Sequence, residues 1–447
     1  MSALAPSAWP ARRTSALVWL VLGGLAVLPY VLVPNQPFIS DDYLQISLGR
    51  QYGPPSGWSA LAGDPLYRAR ATSLVLTYFT ERFFGFSPLP FYLSAILLHV
   101  LNTWLLFALT LRLGMVRRIA LCAAAFFAVY EGHQEAVMWY AALHELLVFF
   151  FSLITVILWK LWDEDRRPRG LYYASALAAF SLALLSKESA VVLVPLLVVV
   201  ARDRRRAWPW TVPFAALALA YVAATFAGSP LHQHFHDGTF SLRAPVWMTL
   251  PISIGRLTWF WGLLALAALV AWGGRSFRWV VLLGGLWMVV ALLPYSFLTY
   301  MPRVPSRHTY LASAGLAWIV AAGFVAFWRR FQASSRWLAY ALAAVVLLHN
   351  CGYIWVKKRA QFLERALPTE ALVDLARATD GVIHVTCFPY NQGIAELAVQ
   401  MRLGKPARLV WETSGAGFSP ACLEPGGQPA LAGTASDSSA QGSQGGL

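Results

Sequence analysis

Charge is scarce in this 447-residue chain. Asp, Glu, Lys and Arg together make up 13% of it, about half the share of an ordinary soluble domain. Acids are the scarcer sign, 21 against 35 bases, which leaves a formal charge of +14. Cysteine is scarce too. The four present show no metal-ligand spacing, which argues against a zinc module. No segment repeats itself, which argues against solenoids and arrays.

What fills the chain is apolar. Hydrophobic residues make up 58% of it, and the mean hydropathy is +0.55. Runs long enough to cross a bilayer recur along most of its length. The fold class expected is an all-α polytopic membrane protein. A basic chain of this kind invites a nucleic-acid partner, but the placement of the bases rejects it. They fall between apolar runs: Arg12 and Arg13; Arg117 and Arg118; Arg166, Arg167 and Arg169; Arg202 with Arg204, Arg205 and Arg206; Arg275 and Arg278; Arg329, Arg330 and Arg336. Cytoplasmic loops carry the Lys and Arg excess. With all six clusters inside, about eleven spans result: 16–34, 89–113, 119–132, 136–160, 171–186, 189–201, 211–228, 250–272, 279–298, 310–328 and 337–355. The third, fifth and sixth are short. An odd count leaves the C-terminus outside, although Lys357, Lys358 and Arg359 then lie on the outer side. The first span reads as an uncleaved anchor, being too long for a signal peptide.

Residues 1–355 form the expected transmembrane domain. Residues 356–412 change character. "TEALVDLARATDG" and "NQGIAELAVQMRLG" read as helices ending on glycine, and "VIHVTCF" as a strand. That is a small α/β extracytoplasmic appendage. Residues 413–447, rich in Gly, Ser, Ala and Pro, read as a disordered tail. Cys122 and Cys351 fall in spans as core residues. Cys387 and Cys422 share an oxidising compartment on this topology and are placed to pair.

The chemistry-bearing residues lie on the outer side. Asp41 and Asp42 follow the first span at once. A partly desolvated carboxylate there suits a general base, and a neighbouring like charge raises its pKa. The plain alternative is a helix N-cap, since "SDD" precedes "YLQISLG". "YRARATSLVLTYFTERFFGF" reads as an amphipathic helix lying along the interface. "YEGHQEAVMWYAALHELL" sets Glu131, His133, Glu135, His144 and Glu145 around the outer ends of two spans. It carries either function or an inter-helix polar network. "LLSKESAV" puts Lys187 and Glu188 at an outer turn, as a phosphate ligand or as an internal ion pair. His99 and Asn102 share a helix face, for which helix-to-helix hydrogen bonding is the simpler reading. "PRVPSRHTYLASAG" sets Arg303, Arg307 and His308 at the membrane surface, suited to phosphate or to interfacial anchoring. "HQHFHDG" reads as a solvated histidine-rich loop rather than a metal site.

Five segments in order resemble one family. They are the Asp pair after the first span; "FGFSPLPFYLSAILLHVLNTWLL"; "HQEAVMWYAALHELL"; "LALLSKESAVVLVPLLVV"; and "SRHTYLASAGLAW", covering roughly residues 35–320. The chain resembles the GT-C superfamily of multi-span glycosyltransferases. It is most similar to the membrane part of the O-mannosyltransferases that carry tetratricopeptide repeats, and to their bacterial relatives. The resemblance implies transfer of one sugar from a polyprenyl-phosphate carrier, with inversion, to an acceptor hydroxyl on the outer side of the membrane. It implies Asp41 or Asp42 as the base, with Asp42 orienting the acceptor or the loop. It implies Lys187, Arg307, His308 and Arg303 as ligands of the donor phosphate. Glu135, Glu145 and Glu188 would shape the cavity, with His99 and His133 nearby. The chain departs from the family pattern in lacking the repeat domain, in Ser306 where an acid usually precedes the Arg, and in His144 where an Arg is usual.

The expectation is therefore a lipid-linked-sugar-dependent hexosyltransferase in a bacterial inner membrane, its site facing the exterior. Its partners are membrane lipids, the polyprenyl-phosphate sugar and a protein, lipid or glycan acceptor. No metal or other cofactor is expected. A polyprenyl-lipid flippase is the alternative. It would call for inverted repeats and broken helices in matched halves, and the sequence displays neither. A scaffold that kept the fold without the chemistry, and an oligosaccharide polymerase or ligase, are further rivals.

Overall fold

The structure, a computed structural model, describes residues 16–164, 170–299, 305–333, 335–379, 381–406, 408–411 and 423–425. Two compact units divide the chain, Met1–Leu363 and Glu364–Leu447.

Away from water every backbone polar group must be satisfied within its own segment, so the apolar runs fold as helices. In chain order they are α1 (Ala16–Val27), α2 (Ser40–Tyr52), α3 (Trp58–Gly63), α4 (Ala71–Phe84), α5 (Pro88–Arg112), α6 (Arg117–Val129), α7 (Gln134–Met138), α8 (Leu143–Glu164) and α9 (Gly170–Leu184). Then follow α10 (Leu193–Val200), α11 (Arg204–Ala207), α12 (Val212–Ala227), α13 (Val246–Thr258), α14 (Trp261–Trp272), α15 (Arg278–Leu292), α16 (Ser313–Phe331), α17 (Arg336–Gly352) and α18 (Arg359–Ala378).

Among the described residues seven helical segments are long and apolar enough to cross a membrane, and α13 with α14, bent by 78°, makes an eighth. The expected count of eleven rests on three shorter pieces as well: α6 of 13 residues, and the apolar segments Gly170–Leu184 and Glu188–Val200. The bend is a feature the sequence reading did not anticipate. Phe260 at the break has φ of 63°, and it is the one non-glycine residue with positive φ among the described residues. That backbone is costly for an aromatic residue, and its ring stacks on His349 at 5.9 Å.

Helix α16 packs on α6, α14 and α15, and α8 on α5 and α9. Small residues permit the closest approaches, as they do between helices in lipid. A Cβ on Gly284 of α15 would sit 2.7 Å from the Gly315 carbonyl of α16, and one on Gly323 would sit 2.6 Å from Ala265 of α14. Three fully buried indoles find acceptors: Trp159 the Leu197 carbonyl (3.0 Å), Trp287 the Leu311 carbonyl (2.9 Å) and Trp318 the Thr110 hydroxyl (2.8 Å). This follows the rule that a buried indole N–H needs a partner.

The second unit is a small α/β fold. Strand β1 (Val382–Val385) pairs in parallel with β2 (Arg408–Trp411) and antiparallel with β3 (Leu423–Pro425). Helix α19 (Gln392–Leu403) connects β1 to β2. It starts on Asn391, whose side chain accepts from the Ile394 N–H, and ends on Gly404 at φ of 70°. Leu372, Val373, Ile383, Val385, Phe388 and Val399 form its core. Two expectations change here. Helix α18 begins at Arg359 and runs through Pro368, ten residues before the expected start at Thr369. The segment expected without structure supplies β3; the rest of 413–447 lies outside the described residues. Cys387 is disulfide-bonded, Cys122 and Cys351 are free, and Cys422 lies outside the described residues.

Candidate active site

The loop after the first span folds into α2, α3 and α4, and the Asp pair occupies the first turn of α2. Acids are favoured there by the unpaired N–H groups and the helix dipole. The two carboxylates separate at once in environment. Asp42 is fully buried. Its Oδ2 accepts the Ile39 N–H at 2.9 Å and the Tyr92 hydroxyl at 3.2 Å. Its Oδ1 accepts the Ala141 N–H, from the turn before α8, at 2.8 Å. Asp42 thus ties three segments together. Burial pushes its carboxyl up to about 7, against the pull of the Ile39 and Ala141 N–H groups, with the Asp41 charge adding to the rise. Asp41 keeps part of its surface exposed and lies 3.5 Å from the Ser40 hydroxyl.

Helix α4, expected from sequence as an amphipathic interfacial helix, packs one side against the protein. Its buried side carries Ser73, Leu74, Thr77 and Thr80, while Phe79, Phe83 and Phe84 face outward. The polar stripe is the inner one. Gln45 of α2 donates to Thr77 at 3.1 Å, and Thr77 meets the Tyr140 hydroxyl at 2.9 Å. At the start of α4, the Thr72 hydroxyl lies 2.7 Å from that of Ser186, and the Thr72 N–H donates to the Leu185 carbonyl at 3.3 Å. The loop carrying the Asp pair is therefore fastened to the turn carrying Lys187.

That turn holds a buried charge cluster. Lys187 is ion-paired to Glu145. The His308 Nδ1 lies 2.6 Å from the same carboxylate and 3.1 Å from the Lys187 ammonium. Burial, with Lys187 beside it, pushes His308 down to about 3, so the ring is neutral. A nitrogen that close to a carboxylate carries the proton and donates it, which leaves nothing there for Lys187 to bond. Tyr295 donates to Glu145 at 3.1 Å and approaches the Ser189 hydroxyl at 3.0 Å. Its ring stacks on His308 at 4.6 Å and sits 4.9 Å under the Lys187 ammonium. Burial lowers Lys187 to about 8, against the pull of Glu145. Beside this group, Arg70 pairs with Glu188 at 2.8 Å. Burial raises the Tyr67 phenol, with Asp64 and Asp41 adding to the rise and Arg70 opposing it, so the partly exposed Asp41 carboxylate and this guanidinium act on one phenol.

Sequence reading thus brings Lys187, Glu145, Glu188 and His308 into one cluster and Asp41 to its margin. Arg307 belongs to a second layer. Its N–H donates to Glu135 at 3.2 Å, and its guanidinium lies 3.8 Å from that carboxylate and 4.9 Å over Trp139. Ser306, where an acid is usual, accepts from Gln134 at 2.7 Å. His144 lies 3.9 Å from Glu145. His99 and His133 sit in the packed core. His99 Nε2 meets the Ala128 carbonyl at 3.0 Å, so it carries the proton, and Nδ1 accepts from the Tyr310 hydroxyl at 2.7 Å. His133 reaches Ser313 at 2.7 Å, and Asn102 the Leu146 carbonyl at 3.0 Å. Arg303 lies outside the described residues. Of the histidine-rich loop, His234 bonds Asp237 at 3.2 Å and His236 approaches the Ser229 carbonyl at 3.1 Å.

Arg70, Tyr295 and Ser189 are the site residues that sequence reading missed. The signal for Arg70 was available: Ser73, Thr77 and Thr80 recur at helical spacing behind it, a polar stripe that a free interfacial helix would turn to water.

A family model described as dolichyl-phosphate-mannose-protein mannosyltransferase matches residues 72–228. That stretch contains Glu145, Lys187 and Glu188 and leaves Asp41, Arg70 and His308 outside it. Among solved structures, Archaeoglobus fulgidus AglB in complex with an inhibitory peptide and a dolichol-phosphate is 11% identical. The likeness covers 90% of this chain and 65% of that one, at a TM-score of 0.52. The same oligosaccharyltransferase tethered with an acceptor peptide is 12% identical, over 93% and 60%, at 0.51. ArnT from Cupriavidus metallidurans bound to undecaprenyl phosphate is 14% identical, over 88% and 86%, at 0.47. The chain spans less than two thirds of the AglB length. No curated protein matches the chain. The family model thus matches about a third of the chain, and the AglB structures share the chain's fold.

Proposed function

We propose that this GT-C-type membrane glycosyltransferase moves a single hexose from a polyprenyl-phosphate donor to an acceptor hydroxyl, with inversion, on the outer face of the membrane. Asp41 is the base and Asp42 its anchor. The observation that carries this is the division of labour in the pair. Asp42 is buried and accepts from three donors, while Asp41 is partly exposed on a loop fastened to the Lys187 turn.

The acceptor oxygen attacks the anomeric carbon, and its proton passes to the Asp41 carboxylate. The bond from that carbon to the phosphate oxygen breaks, and polyprenyl phosphate leaves with the electron pair. Charge grows on the leaving phosphate, where fixed cations lower the barrier. Arg70 and Lys187 are placed for this, with Arg307 behind them. In the resting cluster Glu188 and Glu145 balance these cations, so the donor phosphate shares them with two carboxylates. His308 and Tyr295 hold Glu145, and Glu145 holds Lys187. Support for the donor class comes from AglB, a protein of similar fold whose structure contains dolichol-phosphate.

The test uses purified full-length protein in nanodiscs with a panel of radiolabelled polyprenyl-phosphate hexoses. Asp41→Asn is expected to cut transfer by about 10²–10⁴-fold, the usual worth of a general base, with donor binding retained. Turnover unchanged in Asp41→Asn would overturn the assignment of the base. Donor binding without turnover in the wild type, indifferent to Asp41→Asn, would favour the flippase.

A further inference from the structure

Four arginines lie far from the site just described. Helix α8 begins near Glu145 and ends at Asp163 and Glu164, so these lie about 27 Å apart along its axis. At that far end opens a cavity of about 850 Å³, lined by Asp163, Glu164, Arg204, Arg205, Arg206 and Trp279 among others. Its acids are already engaged. Glu164 pairs with Arg112 at 3.1 Å and Lys160 at 3.5 Å. Asp163 accepts the backbone N–H of Arg202 at 2.6 Å and lies 3.8 Å from Lys160. Asp203 accepts the backbone N–H groups of Arg205 and Arg206 at 3.1 and 3.2 Å.

The arginine side chains are thus not what holds this corner together. Among the described residues no acid pairs with the guanidinium of Arg204, Arg205 or Arg206, and all three are exposed. Three unspent guanidinium forks over one cavity suit the oxygens of a phosphate. The cavity's other wall is apolar, Val199 and Val200. Trp279 lines it and is 44% exposed, and Trp208 and Trp210, next along the chain from Arg206, are 62% and 48% exposed, as indoles are at headgroup depth. The basic pair at Arg329 and Arg330 is different, because each guanidinium there lies over a ring, Phe277 at 5.1 Å and Phe331 at 5.5 Å.

We propose that this cavity is a binding site for the phosphate headgroup of an anionic phospholipid in the leaflet opposite the candidate active site. Arg204, Arg205 and Arg206 hold the phosphate, and Val199, Val200 and Trp279 take the start of the acyl chains. A soluble phosphate has the same anionic chemistry but no use for the apolar wall.

The test is native mass spectrometry of the full chain in neutral detergent, with phosphatidylglycerol and phosphatidylcholine of matched chains, each with and without inorganic phosphate. Phosphatidylglycerol adducts are expected to survive at least tenfold better than phosphatidylcholine adducts and to resist inorganic phosphate. R204Q/R205Q/R206Q removes that preference, and its melting temperature stays that of the wild type, because only backbone N–H groups of the segment hold the fold. R204K/R205K/R206K keeps the charge without the forks and lowers the preference at least threefold. R329Q/R330Q leaves it intact. Equal retention of both lipids overturns the proposal. So does an equal loss in the R329Q/R330Q variant, which would mean diffuse charge, or full displacement by inorganic phosphate, which would mean a soluble ligand.

Discussion

Asp41 and Asp42 share a side chain and differ in surroundings, and variants should separate them. Asp42→Ala leaves three buried donors without an acceptor, each worth about 1–3 kcal/mol, so the protein should lose folded yield before any question of chemistry arises. Asp42 also gives stability a pH dependence. Its folded value, pushed up to about 7 by burial, exceeds the roughly 3.9 of an unfolded carboxyl. The folded state keeps a proton that the unfolded state has already lost. The contribution is complete below about pH 4 and is lost as pH rises through 7. Between about pH 5 and pH 8 the melting temperature of the wild type should fall by more than that of Asp42→Asn; equal slopes would refute the assignment. The Lys187–Glu145 pair makes a second residue-scale prediction. Removing one member of a buried pair costs about 3–5 kcal/mol, while replacing both is often close to neutral. Glu145→Gln and Lys187→Met should each destabilise strongly, and the double variant should recover much of the loss without recovering turnover. Additive single effects would show that the pair does not couple. Lys187, Glu145 and the Asp pair were legible because ionisable groups stand out in apolar runs. Arg70 was not, since an Arg before an apolar run reads first as an interfacial anchor.

At the scale of elements, hydropathy located the helices well and their partners poorly. The sequence does not say which face of α4 meets protein, because its aromatics and hydroxyls both recur at helical spacing. Only packing against Gln45 and Tyr140 decides that. Pro368 looked like a helix boundary, as proline usually is, yet α18 runs through it. The break at Phe260 carries no glycine or proline to announce it. Where small residues set helix distance, the consequence is testable. A Cβ on Gly315 would lie 2.8 Å from Met288 and would also collide with the Gly284 carbonyl. Overpacking of this kind costs about 1–3 kcal/mol. Gly315→Ala should lower the melting temperature measurably, and Gly285→Ala, with nothing within 4 Å, should not. A matching loss at Gly285, where alanine gains helix propensity, would mean that lipid contact, rather than the α15–α16 approach, sets the cost.

At the scale of the whole molecule, two charge systems answer different demands. On the proposed function, the bases between spans orient the chain, and Lys187 and Arg70 serve the reaction. The sequence distinguished them by side of the membrane alone, through an alternation that needs every short apolar piece to cross. Length and composition qualify seven helical segments and one bent pair, so sidedness, not helix content, is what stays open to test. Cys387 forms a disulfide, and disulfides persist in oxidising compartments, which points the second unit outward. Single cysteines at Gly63, Arg205 and Lys405 would report it, with Cys122 and Cys351 replaced by alanine. In intact cells a membrane-impermeant maleimide should label Gly63→Cys, beside the loop of Asp41, and Lys405→Cys in the second unit. Arg205→Cys should label only after permeabilisation. Labelling of Gly63→Cys and Arg205→Cys from the same side would break the alternation on which the outward-facing site depends. Labelling of Lys405→Cys only after permeabilisation would put an even number of crossings between the Arg205 segment and the second unit, and the bent pair α13 and α14 would be the first to be recounted.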